Sequence, residues 1–190
     1  MLVHQLKQEG FSLIELMITT VLFAVLASLA IPSYQQMIQN SMIKSATDAI
    51  VSGFQVARAE AVSRNRPVQL ELGGGTSSAW NVCVQPTPAG KCASGLASDM
   101  IQTRSESDGS SGETTATAPA GERGPYIFSG FGVMTSPGGA AIITVDSTDT
   151  TITRRQLQIV ISAGGAVRSC DPKLPKTGAD ATDPRRCPGP

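Results

Sequence analysis

Glu15 is the residue whose setting most demands a chemical explanation. Phe11–Ile31 reads FSLIELMITTVLFAVLASLAI, 21 residues in which Glu15 is the one charge. A carboxylate inside an apolar membrane helix costs about 2.5–3.5 kcal/mol on insertion scales, so a cation should reach it. Cleavage after Gly10 would free an amine on Phe11, four residues before Glu15 and on the same helix face; the amine of a neighbouring chain would serve equally. The chemistry implied is ion pairing, within one helix or between neighbouring ones.

The cysteines come next. Cys83 lies near Cys92 and Cys170 near Cys187, and neither spacing is the CxxC of zinc or redox sites. Two structural disulfides are the natural reading, which would put this part of the chain in an oxidising compartment, the periplasm or the exterior of a bacterial host. Four buried free thiols are the alternative, and the pairing rests on proximity, so other connectivities stay open. The single histidine is His4. Once the first ten residues are removed no imidazole remains, which excludes Ser-His-Asp and Cys-His catalysis and any His-ligated metal. Gly73-Gly74-Gly75 and the AGKC of residues 89–92 lack the Lys-Ser/Thr of a phosphate loop. No catalytic residue, metal or cofactor is expected, and the chain reads as a non-enzyme.

The elements that position these residues follow from pattern. The 190 residues, 15 basic and 15 acidic, suit one domain plus a membrane segment and give no whole-molecule field toward nucleic acid. At ~1.5 Å per residue Phe11–Ile31 spans the ~30 Å hydrocarbon core. A polar decapeptide, MLVHQLKQEG, precedes it, and Lys7 marks a cytoplasmic N-terminus.

Gly10-Phe11-Ser12-Leu13-Ile14-Glu15-Leu16 resembles the prepilin cleavage motif of type IV pilins and type II secretion pseudopilins. The resemblance implies cutting after Gly10 by a membrane aspartyl prepilin peptidase, methylation of the new N-terminal Phe11, and pairing of Glu15 with a neighbour's N-terminal amine during assembly. It also implies an α+β, type IV pilin-like fold: one long N-terminal helix packed on a small antiparallel β-sheet.

Pro32 should bend the helix without ending it. Beyond it Tyr34, Met37, Ile38, Ile43, Ala46, Ile50, Phe54, Ala57 and Ala61 mark an apolar stripe, and Arg66-Pro67 closes a helix of about 53 residues. The expected organisation is a leader at 1–10, a transmembrane and filament-core half at 11–31, an amphipathic half at 32–66 and a globular β domain at 67–190. Residues 57–70, ARAEAVSRNRPVQL, are similar to the helix end and first strand of the FimT/GspH subfamily. On their own, Arg58, Glu60, Arg64 and Arg66 read as a solvated charged face.

Period-2 runs predict strands at 67–72, 80–85, 126–128, 141–145, 156–161 and 166–170, with the three glycines from Gly73 a hairpin signal. Residues 103–124 are mostly Ser, Thr, Gly, Ala and charge, and read as a mobile loop that builds no core.

The tail GGAVRSCDPKLPKTGADATDPRRCPGP, residues 164–190, carries Arg168, Lys173, Lys176, Arg185 and Arg186 against Asp171, Asp180 and Asp183. It is the best local candidate for a phosphate-binding surface, and a Cys170–Cys187 bridge would pin it in place of a core. It resembles the basic tail with which some FimT-type minor pilins bind DNA through a Gly-Arg-x-Arg element. Gly165-Ala166-Val167-Arg168 lacks the first arginine of that element.

The resemblance therefore implies a minor pilin that primes or caps a type IV pilus, with DNA uptake as a further role. A minor pseudopilin of a type II secretion system is the alternative; a major pilin and a tethered enzyme or binding protein are the other readings. Expected partners are the prepilin peptidase, other major and minor pilins or pseudopilins, and the inner-membrane assembly platform. The chain would be a single-pass inner-membrane protein with a periplasmic domain, later part of a filament.

Overall fold

The computed structural model describes residues 10–73, 77–86, 90–92, 99–119, 124–151, 153–175 and 183–188. Residues 1–9, with His4 and Lys7, and Gly74, Gly75 and Lys176 lie outside them. The chain falls into two units, one ending at Met37 and one beginning at Ile38.

One helix, α1 (Leu13–Arg64), contributes to both. Its residues continue as helix past Pro32, where a proline's missing N–H removes only one backbone bond. The helix is long and apolar enough to cross a membrane by length and composition. Among the described side chains of the first unit, Phe11, Leu13, Phe23 and Leu26 are exposed, Phe11 at 84%.

In the second unit the buried stripe of α1 is Ile43, Ala46, Ile50, Phe54, Ala57 and Ala61, steps of three and four that keep one face inward. Tyr34 and Met37, expected on that stripe, are 64% and 70% exposed. They belong to the first unit, and nothing within that unit covers them.

The expected single sheet is two. The first has five strands in the order β3-β2-β1-β5-β6: β1 (Val68–Leu72), β2 (Trp80–Val84), β3 (Met100–Arg104), β5 (Tyr126–Phe128) and β6 (Met134–Ser136). The second has four, in the order β4-β7-β8-β9: β4 (Thr114–Thr117), β7 (Ala141–Ser147), β8 (Leu157–Ile161) and β9 (Val167–Cys170). Each neighbouring pair of strands runs antiparallel. β7 shows the two-residue period of a strand with one covered face, Ala141, Ile143 and Val145 buried between half-buried neighbours.

The core joins the helix stripe to Val68, Leu70, Trp80, Val82, Tyr126 and Phe128 of the first sheet, and to Ala141, Ile143, Val145, Ile159 and Ile161 of the second. Phe54 is its aromatic centre, edge-on to Tyr126 and Phe128 with ring centroids 5.2 and 6.3 Å away.

The reading of 103–124 as a coreless loop is corrected by β4 and by the end of β3. Thr114, Ala116 and Ala118 are buried, and the Ser78 and Thr114 hydroxyls share a hydrogen bond of 2.7 Å. Small side chains make this core contribution, which a search for large aliphatic residues passes over. Exposed loop is kept at Ser105–Gly109, where the Asp108 carboxylate accepts the Ser105 N–H at 2.7 Å.

Candidate functional site

Two groups of residues carry the chemistry foreseen from sequence. The first is the start of α1. Gly10 and Phe11 are exposed and precede the helix, and around Gly10 there is open space. Ser12 opens the helix: its hydroxyl oxygen accepts the Ile14 N–H at 3.3 Å and its carbonyl accepts the Leu16 N–H at 3.2 Å. Glu15 falls in the first turn, where a negative charge meets the positive end of the helix dipole.

The other polar side chains of the apolar stretch are satisfied within it. Thr19 donates to the Leu16 carbonyl and Thr20 to that of Met17, both at 2.9 Å, and Ser28 to that of Val25 at 2.7 Å. Such bonds let hydroxyls sit in an apolar medium. Among the described residues no ion pair to Glu15 is present, and it is the one charged group of this stretch.

The second group is the tail. Cys170 is bonded to Cys187 and Cys83 to Cys92, with Cα–Cα distances of 4.9 and 5.8 Å. The buried Asp171 carboxylate accepts the Arg155 Nε–H and, at 2.8 Å, the Lys173 N–H, while the Asp171 N–H reaches the Arg185 carbonyl at 2.7 Å. Arg155 is tied to the helix in turn, its N–H donating to Asn40 Oδ1 at 2.8 Å. Nearby, Arg154 makes a two-point pair with Asp146 at 2.5 and 3.2 Å.

The predicted basic residues are not gathered into one free patch. Arg185 grips Asp183 through Nε at 3.1 Å and Nη2 at 2.7 Å, and these bonds, with the Arg185 N–H, hold the Asp183 carboxyl down at about 2. Lys173 Nζ donates to the Arg154 carbonyl at 3.0 Å. Arg186 is half-buried, its N–H on the Asp183 carbonyl at 3.1 Å. Arg168 stands exposed on β9 opposite Val160.

Sequence reasoning missed three features. Arg58 is more than a solvated charge, because its Nε–H donates to the Gly132 carbonyl at 3.1 Å; Arg64 behaves as expected, paired with Glu60 at 2.6 Å. Glu71 receives the Gln69 side-chain amide at 3.0 Å and the Cys92 N–H at 3.1 Å, yet burial pushes its carboxyl up from the ordinary value. Phe131 is exposed between two glycines, and the SGFG run was the available signal.

The family model described as type II transport protein GspH matches residues 46–165, and that described as the prokaryotic N-terminal methylation motif matches residues 5–31. Among solved structures, the type IV minor pilin FimU of Pseudomonas aeruginosa is similar at 18% identity and a TM-score of 0.48, over 66% of this chain and 90% of that one. The minor pseudopilin EpsH from the type 2 secretion system of Vibrio cholerae is similar at 10% identity and a TM-score of 0.46, over 68% and 97%. GspH of E. coli, solved in solution, is similar at 15% identity and a TM-score of 0.46, over 70% and 89%.

Proposed function

The chain belongs to the type II transport protein GspH family, and from that premise we propose that it is a minor pilin: a structural subunit cleaved after Gly10, methylated on Phe11 and built into a type IV pilus through its N-terminal helix. The observation that carries this reading is Glu15, the one charge of a 21-residue apolar stretch whose hydroxyls are otherwise satisfied internally. A carboxylate placed so is matched by the amine that cleavage would release on a neighbouring subunit. Prepilin peptidase and the other pilins are the partners this chemistry requires. The same stretch anchors the precursor in the inner membrane with the second unit on the periplasmic side, where two disulfides are stable.

The disulfide-closed basic tail supports the pilus over the secretion machine. A contact with DNA, salt-dependent and weak, would centre on the exposed Arg168, because Arg185 already spends its charge on Asp183. The second reading, a minor pseudopilin of a type II secretion system, is favoured by the description of the family itself.

Intact mass spectrometry of the membrane-extracted chain, with and without the host's prepilin peptidase, tests the processing. The expected mass is that of Phe11–Pro190 plus one methyl and less four hydrogens. An unprocessed chain beginning at Met1 in both strains overturns it. Deleting the gene then separates the two machines: loss of surface pili with export intact supports the pilus, and the reverse supports the secretion system.

A further inference from the structure

The turn between β5 and β6 presents Phe131 with 88% of its surface exposed, the most exposed large apolar side chain among the described residues of the second unit. The turn is tightly held. Gly132 N–H donates to the Ser129 carbonyl at 2.8 Å, Ser129 N–H to the Val133 carbonyl at 2.9 Å, and Arg58 Nε–H to the Gly132 carbonyl at 3.1 Å. Gly132 takes a φ of +73°, which a side chain would strain, and the space where its Cβ would lie is 3.1 Å from Val62 Cγ2, so the turn rests directly on the helix. Val62, which lies against Gly132, and Val133, two residues beyond Phe131, are themselves 51% and 44% exposed.

An aromatic ring left in water on a hydrogen-bonded turn gains nothing in the isolated chain, and has the form of an interface anchor: large, apolar and carried on a backbone already ordered. The turn lies against the end of α1, Gly130 beside Asn65 and Gly132 beside Arg58 and Val62, and the charges of that helix end indicate the partner. The last two turns of α1 and the residues just after it hold Arg58, Arg64 and Arg66, and the one acid among them, Glu60, is taken by Arg64. Arg58 and Arg66 are exposed.

We propose that the Phe131 turn, with Val62 and Val133, is a docking knob for the globular domain of a neighbouring filament subunit, which receives it in an apolar socket edged by carboxylates. The positive rim steers and orients that partner while the ring supplies the buried contact. The proposal rests on the assembly reading above, and the test separates the two.

A benzophenone amino acid is placed at position 131 of the full chain in the native host, with a second at Gln102, exposed on the edge strand β3, as the control. Illumination at 131 should yield a product with another processed pilin-like subunit, mapped by mass spectrometry to a segment containing Asp or Glu, at several times the level from position 102. Phe131→Ser should lower the amount of this subunit in sheared filaments about tenfold, with processing and both disulfides unchanged by mass, and Phe131→Leu should restore most of it. Arg58 holds the turn, so the charge test uses Arg66→Glu, which should weaken the cross-link.

Equal incorporation of Phe131→Ser, a cross-link no stronger than at 102, or a cross-link to lipid or to a protein outside the filament would each overturn the knob. Absence of the wild-type chain from filaments would instead overturn the assembly reading and the knob with it.

Discussion

At the scale of single residues, charge and its surroundings decide function and stability separately. Glu15→Ala removes a carboxylate that makes no ion pair among the described residues, so the variant should insert and be cleaved normally but enter filaments poorly. Quantifying it in sheared filaments against the membrane pool checks this, and normal incorporation would refute the pairing role. Glu71 acts on stability. Burial raises its carboxyl in the folded state, so the charged form burdens folding above that raised value, and the burden disappears as pH falls through it toward the unfolded value of 4.5. Glu71→Gln keeps an oxygen for Gln69 and Cys92 without the charge. Its melting temperature should exceed the parent's slightly at pH 7 and converge with it below about pH 4.5. Glu15 was legible from sequence because an acid in an apolar run stands out at once. Glu71 was not, since its partial burial and its bond from the Cys92 N–H, 21 residues away, arise only in the folded chain.

Elements were legible where side chains are large and periodic. Helix α1 ends at Arg64, within two residues of the expected Arg66, because the apolar stripe and Pro67 mark it clearly. The strands β3, β4 and β6 were passed over. Thr114–Thr117 buries only threonine and alanine, and Met134–Ser136 is three residues long, too short for a period to show. The meeting of the two sheets was invisible for a similar reason, being made by glycine. Gly165, in the turn between β8 and β9, takes a φ of +79°, and a Cβ there would lie 2.3 Å from the Gly132 carbonyl oxygen. Beside it, Met134 N–H donates across to the Ala163 carbonyl at 3.2 Å. Gly165→Ala therefore meets both backbone strain and a clash with main chain, and should destabilise the second unit by at least about 2 kcal/mol. Urea unfolding of the detergent-extracted chain would read this as a lower midpoint, and an unchanged midpoint would mean that the turn relaxes freely.

For the whole molecule, sequence conveyed the long apolar start of the helix and a β domain closed by two disulfides, because hydropathy and cysteine spacing are global patterns. It conveyed less about the tail, whose basic residues are mostly committed to neighbours already in the fold. Cys170 and Cys187 together replaced by serine should cost about 3 kcal/mol in the chain-entropy argument and free the tail for trypsin at Arg185 and Arg186, with the rest of the second unit still resistant. Limited proteolysis with mass mapping distinguishes that from general unfolding. The bonding order of the cysteines has one more consequence. Each joins the next to appear along the chain, Cys83 with Cys92 and Cys170 with Cys187, so neither link encloses or interleaves with the other. If the residues after the membrane anchor cross in chain order, these thiols would emerge two at a time, and an oxidase acting on each couple as it appears would make the native links in sequence. Maturation on that route calls for no isomerase to reshuffle them.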